Sequence, residues 1–180
     1  ADGGKVKERY NGSGATVRGF NVEGRAAFTR WFELQAGVTL QQSRYKEPEF
    51  WSEDAEVPPV RRMFRTPDAY GYFTASFKPV RNFTADLSGT CTGSMLVQHM
   101  AGSGVAQDVA VSTPSFFDMN IRLSYDVRIY KEITMQLYGG VQNLFNAYQK
   151  DFDKGVDRDS GYIYGPSLPR SWFVGAKISF

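Results

Sequence analysis

The only histidine of this sequence, His99, is followed directly by Met100 and is the first candidate for a metal contact. A neutral imidazole is the commonest metal ligand in proteins, so His99 could coordinate haem iron or another metal centre. One histidine without a neighbouring ligand specifies no metal, however, because selectivity depends on ligand type and geometry together. A solvated loop histidine is the competing interpretation, and we predict no resident metal site.

A second candidate is the segment 46–68, which combines aromatic and basic side chains, namely Phe50, Trp51, Arg61, Arg62 and Arg65. Aromatic rings stack on flat ligands and on cations, and guanidinium groups form paired hydrogen bonds to carboxylates and phosphates. This composition suits an anionic aromatic ligand. It equally suits lipopolysaccharide phosphates or a solvated loop.

The segment 146–168 carries four aspartates among basic residues and four aromatic residues, the latter being Tyr148, Phe152, Tyr162 and Tyr164. Closely spaced aspartates could bind calcium, but the glycine and glutamate of an EF-hand loop are missing and the interleaved cations oppose a divalent ion. The aromatic rings could line the mouth of a ligand site, or they could pack the loop on itself.

No catalytic arrangement is present in the sequence. It contains no nucleophile and base in a recognisable context, no glycine-rich phosphate loop and no paired acids in a supporting framework, so we predict that the protein is not an enzyme. The single cysteine, Cys91, excludes an internal disulfide. The formal net charge of +2 gives no indication of a nucleic-acid partner.

Apolar and polar side chains alternate strictly in residues 116–127, which predicts a β-strand with one apolar and one polar face. The same alternation recurs in 19–28, 34–41 and 83–97 and, less strictly, in 70–78 and 134–145. The segment 170–180 repeats it a last time. The sequence therefore predicts an all-β fold, an antiparallel meander of about seven strands.

The connections between these strands alternate in length. Those near 29–33, 79–82 and 128–133 are short, whereas those near 46–68, 98–115 and 146–168 run to about twenty residues, which is uncommon in compact soluble domains. Short turns on one rim and long loops on the other are typical of an outer-membrane β-barrel. We therefore expect the meander to be part of a larger transmembrane β-barrel.

An odd number of strands places the two ends of the chain on opposite rims, whereas complete bacterial barrels have an even number. The segment Lys5–Tyr10 is a poor eighth strand, because either of its faces would carry charge into hydrocarbon. The chain is thus expected to begin within an external loop of a longer protein.

Two motifs flank the last long loop. The segment 140–146 reads Gly-Val-Gln-Asn-Leu-Phe-Asn, and 165–171 reads Gly-Pro-Ser-Leu-Pro-Arg-Ser. Weaker motifs are Asn21-Val-Glu23, Arg65-Thr-Pro67 and Thr92-Gly-Ser-Met-Leu-Val97. Together with the terminal Phe180, they resemble the C-terminal part of the β-barrel of a TonB-dependent outer-membrane receptor.

This resemblance implies a receptor and active transporter in the bacterial cell outer membrane. It would bind a large, scarce solute of the iron–siderophore, haem or cobalamin class and import it with energy relayed by TonB. The implied partners are TonB, a plug domain, outer-membrane lipid and the barrel-insertion machinery. A surface lipoprotein is a further candidate partner. On this resemblance, residues 1–180 are expected to contain neither the plug domain nor the earlier strands of the barrel. Any metal is expected to be part of the bound solute, so we predict no cofactor.

The residues proposed to contact the solute lie in the three long loops: Trp51, Arg62, Arg65, His99, Tyr148, Tyr162 and Tyr164. The alternative function is that of a small independent outer-membrane or soluble β-protein with a binding or adhesive role.

A last strand that ends in phenylalanine is the element that the barrel-insertion machinery typically recognises. Here one face of that strand carries Trp172, Val174, Ala176, Ile178 and Phe180. An apolar face of this kind can enter a groove while its backbone pairs by strand addition. We expect these five residues to act as an assembly signal.

Overall fold

The computed structural model describes residues 12–180, so the prediction for Lys5–Tyr10 lies outside the described residues. These residues form ten strands: β1 (Ala15–Thr29), β2 (Phe32–Glu49), β3 (Val60–Arg62), β4 (Ala69–Val80), β5 (Phe83–Thr92), β6 (Leu96–His99), β7 (Val109–Ser112), β8 (Phe116–Tyr130), β9 (Ile133–Gln142) and β10 (Ser171–Ser179). Among residues 12–180 there is no helix with the length and apolar character needed to cross a membrane.

The seven long strands follow one another in the sheet in the order β1-β2-β4-β5-β8-β9-β10, and every neighbouring pair is antiparallel. The short strand β3 pairs with β2, and β6 and β7 form a separate hairpin. The predicted all-β meander of about seven strands is thereby confirmed.

The register places like side chains opposite like side chains. Ile121 of β8 faces Leu87 on one side and Val141 on the other. Because successive side chains of a strand point to opposite faces, this register collects apolar residues on one face of the sheet and polar residues on the other.

The apolar face is largely exposed. Leu123 and Leu137 are each 44% exposed, and Val174 of β10 is 90% exposed. All five residues of the predicted assembly signal are exposed: Trp172, Val174, Ala176, Ile178 and Phe180. A contiguous apolar surface of this kind marks contact with another protein or with lipid.

The polar face is cross-linked by hydrogen bonds between strands. The Asn21 side chain donates to Thr39 over 2.8 Å, and the Gln136 amide donates to Asp126 over 2.9 Å. The Arg122 guanidinium carbon lies 4.3 Å from the centre of the Tyr138 ring. Cross-strand pairs of this kind stabilise the sheet and fix its register.

Two strands were predicted to extend further than they do. The predicted strand 83–97 ends at Thr92, and 96–99 belongs to the separate hairpin. The chain turns away at Gly93, whose N–H donates to the Ala69 carbonyl and whose position has no room for a side chain. The predicted strand 134–145 ends at Gln142, because Asn143 adopts a left-handed conformation with φ of 49°.

The long loops are also more ordered than predicted. The predicted loop 46–68 contains the end of β2 and all of β3, and 98–115 contains most of the β6–β7 hairpin. Alternation of side chains did not detect these short strands, because four residues are too few to establish a period.

Gly140 in β9 occupies a position that admits no side chain. A Cβ atom there would overlap the Ile121 carbonyl oxygen and would lie 2.8 Å from the Phe173 ring on the neighbouring strand. Gly24 in β1 is a useful contrast, because a Cβ atom there would meet nothing within 4 Å.

We expect Gly140→Ala to destabilise the fold by about 1–3 kcal/mol, because the sheet must open to accommodate the methyl group. Gly24→Ala should be neutral or should stabilise by about 0.5–1 kcal/mol, since glycine within a strand costs conformational entropy. Denaturant unfolding of the full-length protein carrying each substitution measures both changes. Equal effects of the two substitutions would contradict the packing described here.

Candidate functional site

Three long loops leave the same rim of the sheet: L1 (50–68), L2 (93–115) and L3 (143–170). They are joined to one another by hydrogen bonds. Arg65 N–H in L1 donates to the Leu96 carbonyl in L2 over 2.7 Å, and Ser103 N–H in L2 donates to the Asp157 carbonyl in L3 over 2.9 Å. The three loops therefore form one packed layer above the sheet.

The loop layer has a small aromatic core. Val97 is 0% exposed, Tyr162 is 2% exposed and Tyr164 is 7% exposed, with partly buried Met95, Val111 and Phe116 packed around them. This cluster unites residues of L2, L3 and the start of β8. Burial of these rings supplies the apolar contact that holds the loops together.

His99 and Asp153 form the main polar contact between L2 and L3. His99 Nε2 lies 3.0 Å from both carboxylate oxygens of Asp153, and both side chains are nearly inaccessible to solvent. The imidazole ring stacks on the Tyr162 ring with 3.7 Å between ring centres and 3° between planes. The hydrogen bond from His99, followed by one from the Asp159 N–H, lowers the pKa of Asp153 below its ordinary value.

A second carboxylate, Asp151, is held by two tyrosines of its own loop. The Tyr162 hydroxyl donates to it over 2.6 Å and the Tyr164 hydroxyl over 2.5 Å. Burial, and then these hydrogen bonds, raises the pKa of Tyr164 to about 12 and that of Tyr162 further. Burial opposes ionisation of Asp151, but the hydrogen bonds outweigh it and lower its pKa. Both tyrosines are therefore protonated donors at neutral pH.

A fully buried amide completes the network in L3. The Gln149 side chain donates to the Tyr162 carbonyl over 3.1 Å and accepts from the Tyr164 N–H over 2.9 Å. Because unsatisfied buried amides are costly, these two bonds fix the backbone of 162–164 relative to residue 149.

The two candidate arginines are engaged by backbone carbonyls. Arg62 donates to Ser94 O over 2.7 Å and pairs with Asp68 at 3.1 Å. Arg65 donates to Ile163 O over 2.9 Å and also to Gly161 O. Each arginine therefore connects L1 to another loop, rather than projecting alone into solvent.

Trp51 packs within its own loop. Its indole N–H donates to the Pro58 carbonyl over 3.3 Å, and its ring meets Phe64 edge-on with 5.3 Å between ring centres.

Of the seven predicted ligand contacts, four come together where L2 meets L3: Arg65, His99, Tyr162 and Tyr164.

Tyr148 is 43% exposed and does not belong to the buried core of the loop layer. It lines a cavity of about 560 Å³ between the start of β8 and L3, together with Phe117, Phe145 and Lys150. Of the cavities described along residues 12–180, this one has the largest volume. Asp151 and Tyr164 also line it, so it presents aromatic surface beside one cation and one carboxylate.

Sequence reasoning did not identify Asp151, Asp153 and Gln149 as the residues that hold the loops. The aspartates were considered only as calcium ligands, and within residues 12–180 no group of three histidine, cysteine or acidic side chains is arranged around a common metal position. The alternation of donors and carboxylates in 149–164 was the available signal. Their pairing depends on how L3 folds back on itself and on the contact of His99 with Asp153.

We expect His99→Ala and Asp153→Asn to loosen L2 and L3 without disturbing the sheet. Removing one partner of a buried hydrogen bond costs about 1–3 kcal/mol, so amide exchange in 99–104 and 151–160 should accelerate roughly 5- to 150-fold. Hydrogen exchange of the full-length protein measures this, with β8 and β9 as internal references. Asp157→Asn is the matched control, since that exposed side chain makes no hydrogen bond within residues 12–180. Unchanged protection in both variants would contradict a fastening role.

No protein-family model matches this chain, and no curated protein sequence matches it. Its fold is similar to that of the ferric-catecholate import receptor Fiu of Escherichia coli K12 in its closed form, with a TM-score of 0.62 and 21% sequence identity over 90% of this chain and 20% of that chain. The open form of Fiu gives a TM-score of 0.57 and 19% identity over 90% of this chain and 20% of that chain. The siderophore receptor PiuA of Acinetobacter baumannii gives a TM-score of 0.61 and 17% identity over 91% of this chain and 21% of that chain.

The chain thus spans about one fifth of the length of these receptors. Identities of this size establish the shared fold. The prediction of a barrel segment and the resemblance carried by the 140–146 and 165–171 motifs are confirmed at that level: this chain has the fold of the C-terminal part of the β-barrel of a TonB-dependent siderophore receptor.

Proposed function

We propose that this chain belongs to an outer-membrane receptor that binds a ferric siderophore outside the cell and imports it with energy from TonB. The observation that carries this proposal is the combination of a TonB-dependent receptor fold with a packed layer of three long loops on one rim of the sheet. The solved relatives are import receptors, and no catalytic role is proposed.

The exposed apolar face is proposed to meet outer-membrane lipid. Aliphatic side chains project from its central strands, and aromatic rings lie near both ends, among them Phe32 stacked on Phe77 at the short-turn rim and Phe117 near Phe145 at the loop rim. Aromatic rings at the two ends of an apolar band are the arrangement expected at two lipid–water interfaces.

The polar face is proposed to line the inside of the barrel, where a plug domain in the rest of the full-length protein would contact it. Its hydrogen-bonded side chains, such as Asn21, Asp126 and Gln136, would be poorly accommodated in hydrocarbon.

The apolar face of β10 is proposed to be the assembly signal that the barrel-insertion machinery recognises.

Within the loop layer, the seven candidate residues are proposed to serve solute binding in two ways. Tyr148 is accessible and lines the largest cavity described, so it is the candidate for direct contact. Trp51, Arg62, Arg65, His99, Tyr162 and Tyr164 would act by holding L1, L2 and L3 in one shape, since their polar atoms are engaged within the loop layer. A fixed loop layer binds with a smaller entropy cost than a mobile one.

A siderophore is favoured over haem by the geometry of His99. Coordination of iron through Nε2 would require that atom to leave Asp153 and the ring to leave Tyr162. No contact within residues 12–180 favours cobalamin as the solute. None of these contacts favours an independent binding or adhesive protein over a receptor either.

We expect the full-length protein to support uptake of radiolabelled ferric catecholate complexes in a bacterial strain without other catecholate receptors. Uptake should require TonB, whereas surface binding should persist without it. Tyr148→Ala should weaken binding several-fold, and Phe152→Ala, an exposed aromatic of the same loop outside that cavity, is the control. Binding and uptake that do not distinguish ferric catecholates from metal-free ones would contradict the proposed function.

The proposed lipid contact predicts a difference between the two faces of β9. Leu137→Arg would place a charge in the apolar band and should cost about 2–4 kcal/mol, whereas Gln136→Arg should cost far less because the new guanidinium can pair with Asp126. Reversible unfolding of the full barrel in lipid bilayers measures both. Equal costs would show that the apolar face does not meet lipid.

A further inference from the structure

Within residues 12–180, the carboxylate of Asp118 on the polar face of β8 has no partner. It lies opposite Thr90 of β5, and its Oδ1 atom is buried yet accepts no hydrogen bond from residues 12–180. Neither an ion pair nor a side-chain hydrogen bond within the described residues reaches this side chain. A buried carboxylate oxygen without a donor is strongly unfavourable, so its position calls for a complementary group.

Two cavities meet at Asp118. One, of about 290 Å³, is lined by Thr90, Thr92 and Gly165 among others, and the second, of about 230 Å³, by Asn120, Gln142 and Ser167. Residues 165–168 of L3 border both cavities. Among residues 12–180, Asp118 is the only charged side chain that lines either cavity, so within this part of the chain the two spaces share a single negative charge.

Two arginines, one on the same strand as Asp118 and one in L1, are engaged by other groups. Arg122, four residues further along β8 on the same face, lies over the Tyr138 ring and donates to Gln136 over 3.4 Å. Arg62 in L1 pairs with Asp68 and donates to Ser94 O. Neither supplies the missing positive charge at Asp118.

We infer that Asp118 anchors a binding site for one guanidinium or ammonium group. A single carboxylate matches a single positive charge, and the neighbouring threonine, serine and amide oxygens can accept the remaining N–H donors. A divalent cation fits less well, because calcium sites use six to eight oxygens that usually include several carboxylates. This site is distinct from the cavity lined by Tyr148.

Two sources supply this chemistry: a lysine or arginine side chain from the rest of the full-length protein, and a dissolved cationic compound. The test compares the full-length wild-type protein with Asp118→Asn, which keeps the size of the side chain and removes its charge. Asp126→Asn is the matched control, because Asp126 lies on the same strand and face but already accepts a hydrogen bond from Gln136 over 2.9 Å. Neither variant alters a residue proposed to contact the siderophore.

The first measurement is the melting temperature during titration with methylguanidinium, with neutral methylurea as the matched probe. A dissolved source predicts a saturable rise for the wild type and for Asp126→Asn that Asp118→Asn lacks. The second measurement is labelling of lysines by an acetylating reagent and of arginines by phenylglyoxal. A source within the protein predicts one side chain that gains at least fivefold in labelling rate in Asp118→Asn and keeps its wild-type rate in Asp126→Asn.

Absence of both effects would overturn the inference. Neither measurement involves uptake or iron, so the cation site can fail while the proposed function holds. Conversely, a protein that imports no siderophore could still bind a cation at Asp118.

Discussion

The rest of the structure depends on one constraint: a single sheet with one apolar and one polar face buries neither of them by itself. Side chains such as Val174 and Leu123 remain exposed on one face, and Asp126 and Gln136 lie on the other. Backbone hydrogen bonds between neighbours satisfy each inner strand. They leave open what each face contacts, and the proposed barrel wall between lipid and an enclosed interior would give each face a matching environment.

The loop layer obeys a different principle. The loops are held together by a few buried rings and by carboxylates that accept hydrogen bonds from uncharged donors. Asp151, for example, accepts hydrogen bonds from the hydroxyl groups of Tyr162 and Tyr164. Contacts of this kind are strong in a partly buried setting because competing water is scarce. The His99–Asp153 contact adds a polar connection between L2 and L3. A layer held in this way can keep one binding shape while remaining polar enough to lie in water.

Much of the fold could be predicted because it follows from local alternation. The seven long strands, their antiparallel order and the contrast between short turns and long loops all depend on residues close in sequence. The boundaries at Thr92 and Gln142 could not be predicted in this way. They depend on the contact of Gly93 with Ala69 and on the left-handed conformation of Asn143, which a period-two pattern does not register.

By itself, the sequence determined which side chains share a face, since a strand leaves only two directions for them. It also determined that aromatic, basic and acidic residues accumulate in the loops. Only the tertiary structure decided what those loop residues do: Arg65 meets carbonyls of L3, and His99 meets Asp153. The physical reason is that these contacts join residues 54 to 98 positions apart. The packing of three loops against one another, rather than any local pattern, brings them within hydrogen-bond distance.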